Sequence, residues 1–166
     1  MIIILTQCFP SRLGGIESLV SNLALGLGKK EKVIVFADRH HLFYDAIYDN
    51  QYKDQIIVRR TGGLKFFRRR KKIRELKPFI ESNQVKLVIA DTWKSLELSI
   101  DLLDKKNIPT ICLAHGNELL SNNPKKTQRI IKILNRASSI IANSQFTLNL
   151  AKKLIVNKDH IKFVYP

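Results

Sequence analysis

Short apolar runs alternate with helix-like segments along the whole chain, and no other pattern in the sequence limits the possible folds as strongly. The first run, 2–5, is apolar throughout, which is typical of a strand buried on both faces of a sheet. The later strand candidates are 32–38, 55–61, 85–91, 109–114, 138–143 and 161–164. Strands that alternate with helices predict an α/β fold: a doubly wound, mostly parallel Rossmann-like sheet of about seven strands with helices on both faces.

The helices are predicted from apolar residues that recur at intervals of three and four. Expected helices cover 16–27, 64–83, 96–106, 124–136 and 145–155, and a short helix with a loop is expected over 42–53. Pro78 lacks a backbone N–H, so we expect it to begin a new helix or to kink the one around it. Ser144 is expected to cap the last helix. In the usual strand order 3-2-1-4-5, the loops after strands 1, 4 and 5 meet in one crevice.

Gly14 and Gly15 lie between the first strand and the first helix. Because glycine has no Cβ, a ligand can approach the amides at the start of the helix, where the dipole favours an anion. This arrangement predicts a phosphate or sugar site, with Arg12 as a nearby candidate. A tight turn that binds no ligand explains the same glycines, so both interpretations stay open.

Polar and aromatic residues also follow the fourth and fifth predicted strands. Asp91 and Trp93 offer a carboxylate and an aromatic face that suit a sugar ring. His115 is expected at the rim of the crevice, where it can bind a sugar hydroxyl or move a proton near neutral pH. Glu118 can accept hydrogen bonds from hydroxyls, and Asn117 lies beside it. A surface histidine, a solvated carboxylate and a tryptophan that only packs are the alternatives.

Other site chemistries are disfavoured by spacing. His115 and Glu118 form an H-x-x-E pair, but no third ligand candidate is nearby, so no metal or other cofactor is expected. A dinucleotide site would need G-x-G-x-x-G, whereas only an adjacent glycine pair is present, although Asp38 stands where a ribose-binding acid would lie. Cys8 and Cys112 lie in apolar runs without paired spacing, which predicts buried, reduced thiols.

Composition indicates one globular domain, 1–166, with attraction to polyanions. Hydrophobic residues make up 45% of the 166 residues, and the formal net charge is +15. No apolar run is long enough to cross a bilayer or to form a secretory signal, which predicts a cytoplasmic protein. The positive charge predicts contact with phosphate, in nucleic acid, anionic lipid or a phosphorylated substrate.

A strongly basic helix is predicted over 64–77. Its cations lie beside two phenylalanines, which suits an anionic membrane surface or a phosphorylated acceptor. A solvated charged helix face is the alternative, and a nucleic-acid arm is less favoured because the aromatic residues are not interleaved as stacking platforms. The predicted membrane or phosphate patch comprises Lys65, Arg68, Arg69, Arg70, Lys71 and Lys72.

Four motifs stand at matching points of this predicted fold. They are, in chain order, Phe9-Pro10 with Gly14-Gly15-Ile16-Glu17; His115-Gly116-Asn117-Glu118; Ile141-Ala142-Asn143-Ser144-Gln145-Phe146-Thr147; and Val164-Tyr165-Pro166. Together they resemble the N-terminal, acceptor-side domain of retaining family 4 glycosyltransferases, which have the GT-B fold. The resemblance covers essentially the whole chain, which would then be one half of a GT-B fold.

The resemblance implies a nucleotide-sugar donor and a glycan or lipid-linked acceptor, as in the synthesis of cell-envelope polysaccharides. It further implies that the turn at Gly14 and Gly15 approaches the donor diphosphate and that His115 contacts the transferred sugar. Relatives bind most of the donor through a second domain, which would be absent from this chain, so the isolated domain is expected to be inactive. A basic helix over 64–77 would place the enzyme peripherally on the inner membrane face.

A second hypothesis belongs to a different functional class. The chain would be a non-catalytic basic module that binds nucleic acid or anionic lipid through the helix over 64–77. Both hypotheses predict salt-sensitive binding to polyanions. Only the enzyme hypothesis predicts protection by a nucleoside diphosphate.

Overall fold

The computed structural model describes residues 1–165, apart from the side chains of Lys65 and Phe66. Within that part of the chain, seven strands form one sheet. The strands are β1 (Ile2–Leu5), β2 (Val33–Asp38), β3 (Ile57–Thr61), β4 (Leu87–Ala90), β5 (Thr110–Ala114), β6 (Ser139–Ala142) and β7 (Ile161–Phe163). Every predicted strand is present, and the last six are shorter than predicted by one or two residues at one or both ends.

The sheet order is β3-β2-β1-β4-β5-β6-β7, and all neighbouring strands are parallel. This confirms the predicted doubly wound sheet. β1 is central, so that Leu5 at its end is paired with Phe36 of β2 on one side and Ala90 of β4 on the other. The direction of winding reverses between β1 and β4, and a crevice opens there at the edge where the strands end, which we call the carboxyl edge.

Helices connect successive strands. They are α1 (Gly15–Gly28), α2 (Leu42–Gln51), α3 (Lys65–Glu81), α4 (Trp93–Leu96), α5 (Ile100–Lys105), α6 (Pro124–Leu134) and α7 (Gln145–Lys152), with short 3₁₀ helices at Asn117–Leu119 and Lys158–His160. Because side chains alternate along a strand, each strand serves two cores. Ile4 packs in the cluster that holds Val20 of α1, whereas Ile3 packs in the cluster that holds Leu76 of α3 and Ile130 of α6. Helices therefore cover both faces of the sheet.

One helical prediction differs from the structure, and one of the two alternatives for Pro78 is excluded. The helix predicted over 96–106 is interrupted, because α4 ends at Leu96 and α5 begins at Ile100; the buried Ser99 between them donates from Oγ to the Leu96 carbonyl oxygen at 2.9 Å. Pro78 lies inside α3 and does not begin a new helix. The predicted cap of the last helix is confirmed, since the Ser144 hydroxyl accepts from the Thr147 backbone N–H at 3.1 Å.

Both cysteines are free thiols, but they differ in burial. Cys112 is buried as predicted, whereas Cys8 is only half-buried. Partial burial and then the negative charge of Asp91 raise the pKa of Cys8 to about 11, so the thiol stays protonated and a weak nucleophile near neutral pH. Across residues 1–165, no helix is both long and apolar enough to span a bilayer.

Candidate functional site

An open cleft of about 870 Å³ lies at the carboxyl edge of the sheet. Its lining residues come from the start of α1 and from the segments after β4, β5 and β6, which are far apart in the sequence. They are Gly15, Ile16, Ser18, Leu19, Asn22, Thr92, His115, Asn117, Glu118 and Asn143. The topology therefore brings the glycine turn and His115 to one cavity, at the point where the winding of the sheet reverses.

The His115 imidazole is held in one orientation. Its Nε2 lies 2.8 Å from the Asp91 carbonyl oxygen, and its backbone N–H donates to Glu118 Oε1 at 2.7 Å. Because a carbonyl oxygen can only accept, the proton of the neutral ring is assigned to Nε2. This leaves Nδ1 of the neutral imidazole as a hydrogen-bond acceptor, which suits a hydroxyl group of a bound ligand.

Asp91 itself is fully engaged with protein groups. The side chain is buried, and its Oδ2 accepts from the Thr6 hydroxyl at 2.7 Å and from the Gln7 backbone N–H at 3.0 Å. The Ser95 hydroxyl donates to Oδ1. The carboxylate thus joins the ends of β1 and β4, while the backbone carbonyl of the same residue orients His115.

Trp93 is buried beneath the cleft. Its indole N–H donates to the Glu118 carbonyl oxygen at 3.1 Å, so the ring supports the loop that holds His115 from behind. Neither Trp93 nor Asp91 is among the residues that line the cleft. The sequence predicts both beside a ligand, whereas in the structure their side chains lie behind the residues that line this cleft.

The two glycines before α1 differ in their surroundings. A Cβ at Gly15 would meet no heavy atom within 4 Å, so the first helical residue is open toward the cleft. A Cβ at Gly14 would lie 2.2 Å from Oε2 of the buried Glu17. The Arg12 guanidinium in turn contacts Glu17, with Nε 3.0 Å from Oε1. Arg12 therefore neutralises a carboxylate at the start of α1.

Gly116 follows His115 and is required by the geometry of the turn. Its φ is +111°, which L side chains rarely adopt, and a Cβ there would lie 3.0 Å from Thr147 Oγ1. The chain can turn sharply after β5 only because this residue is glycine. The turn returns the Glu118 carboxylate to the His115 backbone N–H.

Several cleft residues were not predicted as site residues. Ser18, Leu19 and Asn22 lie on the same face of α1 as Gly15, and Thr92 stands beside Asp91. The helical spacing of three, four and seven from Gly15 is the signal that would have identified those on α1. Asn143 is also in the cleft; it was part of a quoted motif but not of the candidate set.

Several cations of the predicted basic helix are engaged with carboxylates of the same domain. Lys72 is buried and its Nζ lies 2.6 Å from Asp38 Oδ1, where burial lowers the pKa of the lysine. Arg68 pairs with the same carboxylate, and Arg69 pairs with Glu97 at 2.8 Å.

Three cations of the predicted patch thus form ion pairs within the domain, because α3 packs across the ends of β1 and β2. Arg70 and Lys71 are exposed, and the Lys65 side chain lies outside the described residues. A module that binds nucleic acid along this helix would lose much of its assumed charge. Within the described part of the chain, no group of three His, Cys, Asp or Glu residues is placed to hold a metal ion.

Fold and cleft together define the class: a Rossmann-like α/β domain with a ligand crevice where the winding of the sheet reverses. The chain belongs to glycosyltransferase family 4, whose family model matches residues 13–166. A comparison with curated protein sequences finds no match.

Solved structures of similar fold are larger than this chain. HepE (Alr3699) of Anabaena, solved in complex with UDP, aligns with a TM-score of 0.72 and 18% identity over 99% of this chain and 43% of its own. WaaB, a lipopolysaccharide outer core galactosyltransferase, aligns with a TM-score of 0.65 and 15% identity over 99% of this chain and 45% of its own. The UDP-GlcNAc 2-epimerase of Methanocaldococcus jannaschii aligns with a TM-score of 0.66 and 13% identity over 99% of this chain and 45% of its own. At these identities the likeness concerns the fold alone, which is one half of a GT-B fold, and the chain spans less than half the length of each structure.

Proposed function

We propose that this chain is the acceptor-side domain of a retaining glycosyltransferase, which moves a sugar from a nucleotide-sugar to a glycan or lipid-linked acceptor. The observation that carries the proposal is the cleft in which the start of α1 faces an oriented His115, in a member of family 4. HepE crystals with UDP and with UDP-glucose support a nucleotide-sugar as the donor. No metal or other cofactor is part of the proposal.

In this proposal the start of α1 stabilises the leaving diphosphate. The first amide groups of a helix have no intrahelical partner, and the dipole adds partial positive charge at the same end. The cap residue Gly14 contributes no side chain to them, and Gly15 leaves the approach open. Preorganised donors of this kind act where negative charge develops in the transition state.

His115 has the second role, through contact with the sugar that is transferred. Its Nδ1 accepts a hydrogen bond from a sugar hydroxyl, because Nε2 is already engaged with the Asp91 carbonyl oxygen. Glu118 and Asn117 line the same wall of the cleft and are placed to bind further hydroxyls. The contacts fix the sugar relative to the α1 amides, so that the leaving group departs toward those amides and the acceptor approaches on a defined side.

The remaining part of the proposal concerns the second domain. We infer that most of the donor is bound by a second α/β domain that closes over this cleft, which agrees with the 43–45% of each matched structure that the chain spans. The chain alone is then expected to turn over no nucleotide-sugar, and addition of such a second domain, in the same or in a separate polypeptide, is expected to restore transfer. Full turnover by the 166-residue chain alone would contradict this inference.

The site is tested by His115→Ala in the active protein, with release of nucleoside diphosphate as the assay. Loss of the sugar contact is expected to lower kcat by about 10²-fold while the unfolding midpoint changes little. The matched control is His160→Ala, at an exposed histidine in the 3₁₀ helix before β7, which should leave turnover unchanged. Equal turnover by both variants would remove His115 from the site.

A further inference from the structure

A buried arginine of β3 contacts the segment that leads from β1 to the cleft. The Arg60 side chain is only 5% exposed, although β3 is the outermost strand on its side of the sheet. Its guanidinium lies over the buried Phe9 ring, with Cζ 5.3 Å from the ring centroid. Its Nη2 donates to the Pro10 carbonyl oxygen. An arginine is almost never buried unless its charge is paired, so this position depends on carboxylates nearby.

Two aspartates of α2 pair with this guanidinium. Asp45 and Asp49 lie one turn apart on the same face of the helix. Arg60 Nη2 lies 2.7 Å from Asp49 Oδ1, and Nη1 lies 3.4 Å from Asp45 Oδ1. A planar guanidinium can bind two carboxylates and a carbonyl oxygen at once, whereas a lysine ammonium lacks this geometry. We call Arg60, Asp45 and Asp49 the β3–α2 clamp.

Asp45 extends the contact by one residue along the same segment. Its Oδ1 accepts from the Ser11 hydroxyl at 2.8 Å and from the Ser11 backbone N–H at 3.3 Å. Its Oδ2 accepts from the backbone N–H groups of His40 and His41, at 2.9 and 3.2 Å. The three consecutive residues 9–11 are therefore bound by side chains of β3 and α2.

The residues that follow this segment form the turn into α1. Leu13 is 94% exposed, and both Gly14 and Gly15 are exposed as well. Arg12 pairs with Glu17, which joins the turn to α1 itself. The clamp joins the same turn to the opposite side, at β3 and α2. The position of the first α1 amides therefore depends on residues far away in the sequence.

We propose that Arg60 is a positioning residue for sugar transfer, because the clamp holds segment 9–11 so that the first amides of α1 face His115. This inference rests on the proposed function, in which those amides stabilise the leaving diphosphate. Arg60 is not among the residues that line the cleft, so it acts through the segment and not on the substrate. Preorganised donors must be held in place before the reaction, and a misplacement of about 1 Å can cost about 10²-fold in rate.

Limited trypsin digestion of the 166-residue chain tests the hold on the segment. Cleavage after Arg12 requires local opening of the chain, so its rate reports how firmly the segment is held. Arg60→Lys keeps the charge and loses the planar fork, and cleavage after Arg12 is expected to rise about tenfold. Cleavage after Lys106, in the turn between α5 and β5, should stay within about twofold of the parent's rate. A general loss of stability would raise both rates together.

The matched control is Arg136→Lys. This arginine also binds two carboxylates, with Nη1 2.6 Å from Asp101 Oδ1 and Nη2 2.7 Å from Asp104 Oδ2. It joins the end of α6 to α5, away from the segment after β1. Its replacement should leave cleavage after Arg12 at the parent's rate.

Ser11→Ala is a milder second variant, which applies even if Arg60→Lys does not fold. It removes one hydrogen bond to Asp45 and leaves the buried guanidinium with both carboxylates. Cleavage after Arg12 should then rise about threefold. In a double variant the effects of Ser11→Ala and Arg60→Lys should not multiply, because both act through the same segment.

Steady-state kinetics of the active protein test the link to the reaction. Arg60→Lys should lower kcat about tenfold and leave the KM for the nucleotide-sugar within about twofold, since the displaced amides act in the transition state. Arg136→Lys should keep the parent's kcat and KM. Equal cleavage after Arg12 in the parent, Arg60→Lys and Ser11→Ala would overturn the proposal, as would faster cleavage with an unchanged kcat.

Failure of the proposed function would look different. The digestion needs no donor and no second domain, so its outcome does not depend on the assigned reaction. Unchanged turnover in His115→Ala would contradict the proposed site. A loss of turnover in His115→Ala together with an unchanged kcat in Arg60→Lys would contradict the positioning role alone.

Discussion

Replacement of Asp91 by alanine tests whether one buried carboxylate joins the two central strands. The carboxylate accepts from the Thr6 hydroxyl, the Gln7 backbone N–H and the Ser95 hydroxyl. The partly buried Gln7 N–H would be left without this acceptor, at a cost of about 1–3 kcal/mol. Two further hydrogen bonds to a charged group would be lost, but the hydroxyls can rotate, and Thr6 has the Cys8 carbonyl oxygen at 2.8 Å. The sum predicts a loss of about 3–5 kcal/mol in the free energy of unfolding.

The assay is urea denaturation followed by fluorescence, since Trp93 is the single tryptophan and is buried two residues from the substitution. Asp91→Asn keeps the shape and one acceptor oxygen, so it should cost about 1–2 kcal/mol. Asp101→Ala, an exposed aspartate paired with Arg136, is the control and should cost under about 1 kcal/mol. If Asp91→Ala lost less than about 1 kcal/mol, the carboxylate would not join β1 to β4.

Three further substitutions test other parts of the structure. Lys72→Met removes one partner of a buried pair with Asp38 and should cost about 3 kcal/mol in urea unfolding, against under about 0.5 kcal/mol for a solvated surface lysine. Burial alone would raise the pKa of Asp45, but hydrogen bonds and a nearby guanidinium outweigh it and hold the pKa below its ordinary value. The contribution of Asp45 to stability is then present above about pH 4 and is lost as the pH falls through the lower pKa of the folded state. Acid titration of the Asp45→Asn variant should therefore show a smaller loss of stability than the parent. Gly28→Ala would place a Cβ 2.5 Å from a backbone carbonyl oxygen and should lower stability by about 1–3 kcal/mol, whereas Gly26→Ala in the same helix has open space and should be neutral or stabilising.

The fold could be predicted from the sequence because its strands are buried on both faces. Such strands appear as unbroken apolar runs, and 2–5 matches Ile2–Leu5 without any shift. Parallel strands in turn need crossovers, which restricts the order and handedness of the connections. The error at 96–106 has a local cause: Ser99 uses its hydroxyl to satisfy the Leu96 carbonyl oxygen, and periodicity alone does not reveal this competition.

The sequence alone could locate the candidate site, but it could not show which of the site residues face the cleft. Topology alone brings the segments after β1, β4 and β5 together, and Gly15 and His115 do line one cleft. The sequence could not separate groups that face the cleft from those behind it. Asp91 and Trp93 have the residue types of a sugar site, yet they bond to Thr6 and Glu118, far away in the sequence.

The charge of α3 is a second case in which the sequence does not show what surrounds a side chain. Arg68 and Lys72 appear as part of a continuous basic stripe, because their common partner, Asp38, lies 30 or more positions away at the end of β2. Once those pairs form, the domain has buried its carboxylates at this edge and left Arg39 and Lys71 outside. Two cations share one carboxylate in this arrangement, so the pairing removes more positive than negative groups from the surface of α3. The charge that α3 presents to solvent therefore follows from contacts between distant segments rather than from the basic stripe itself.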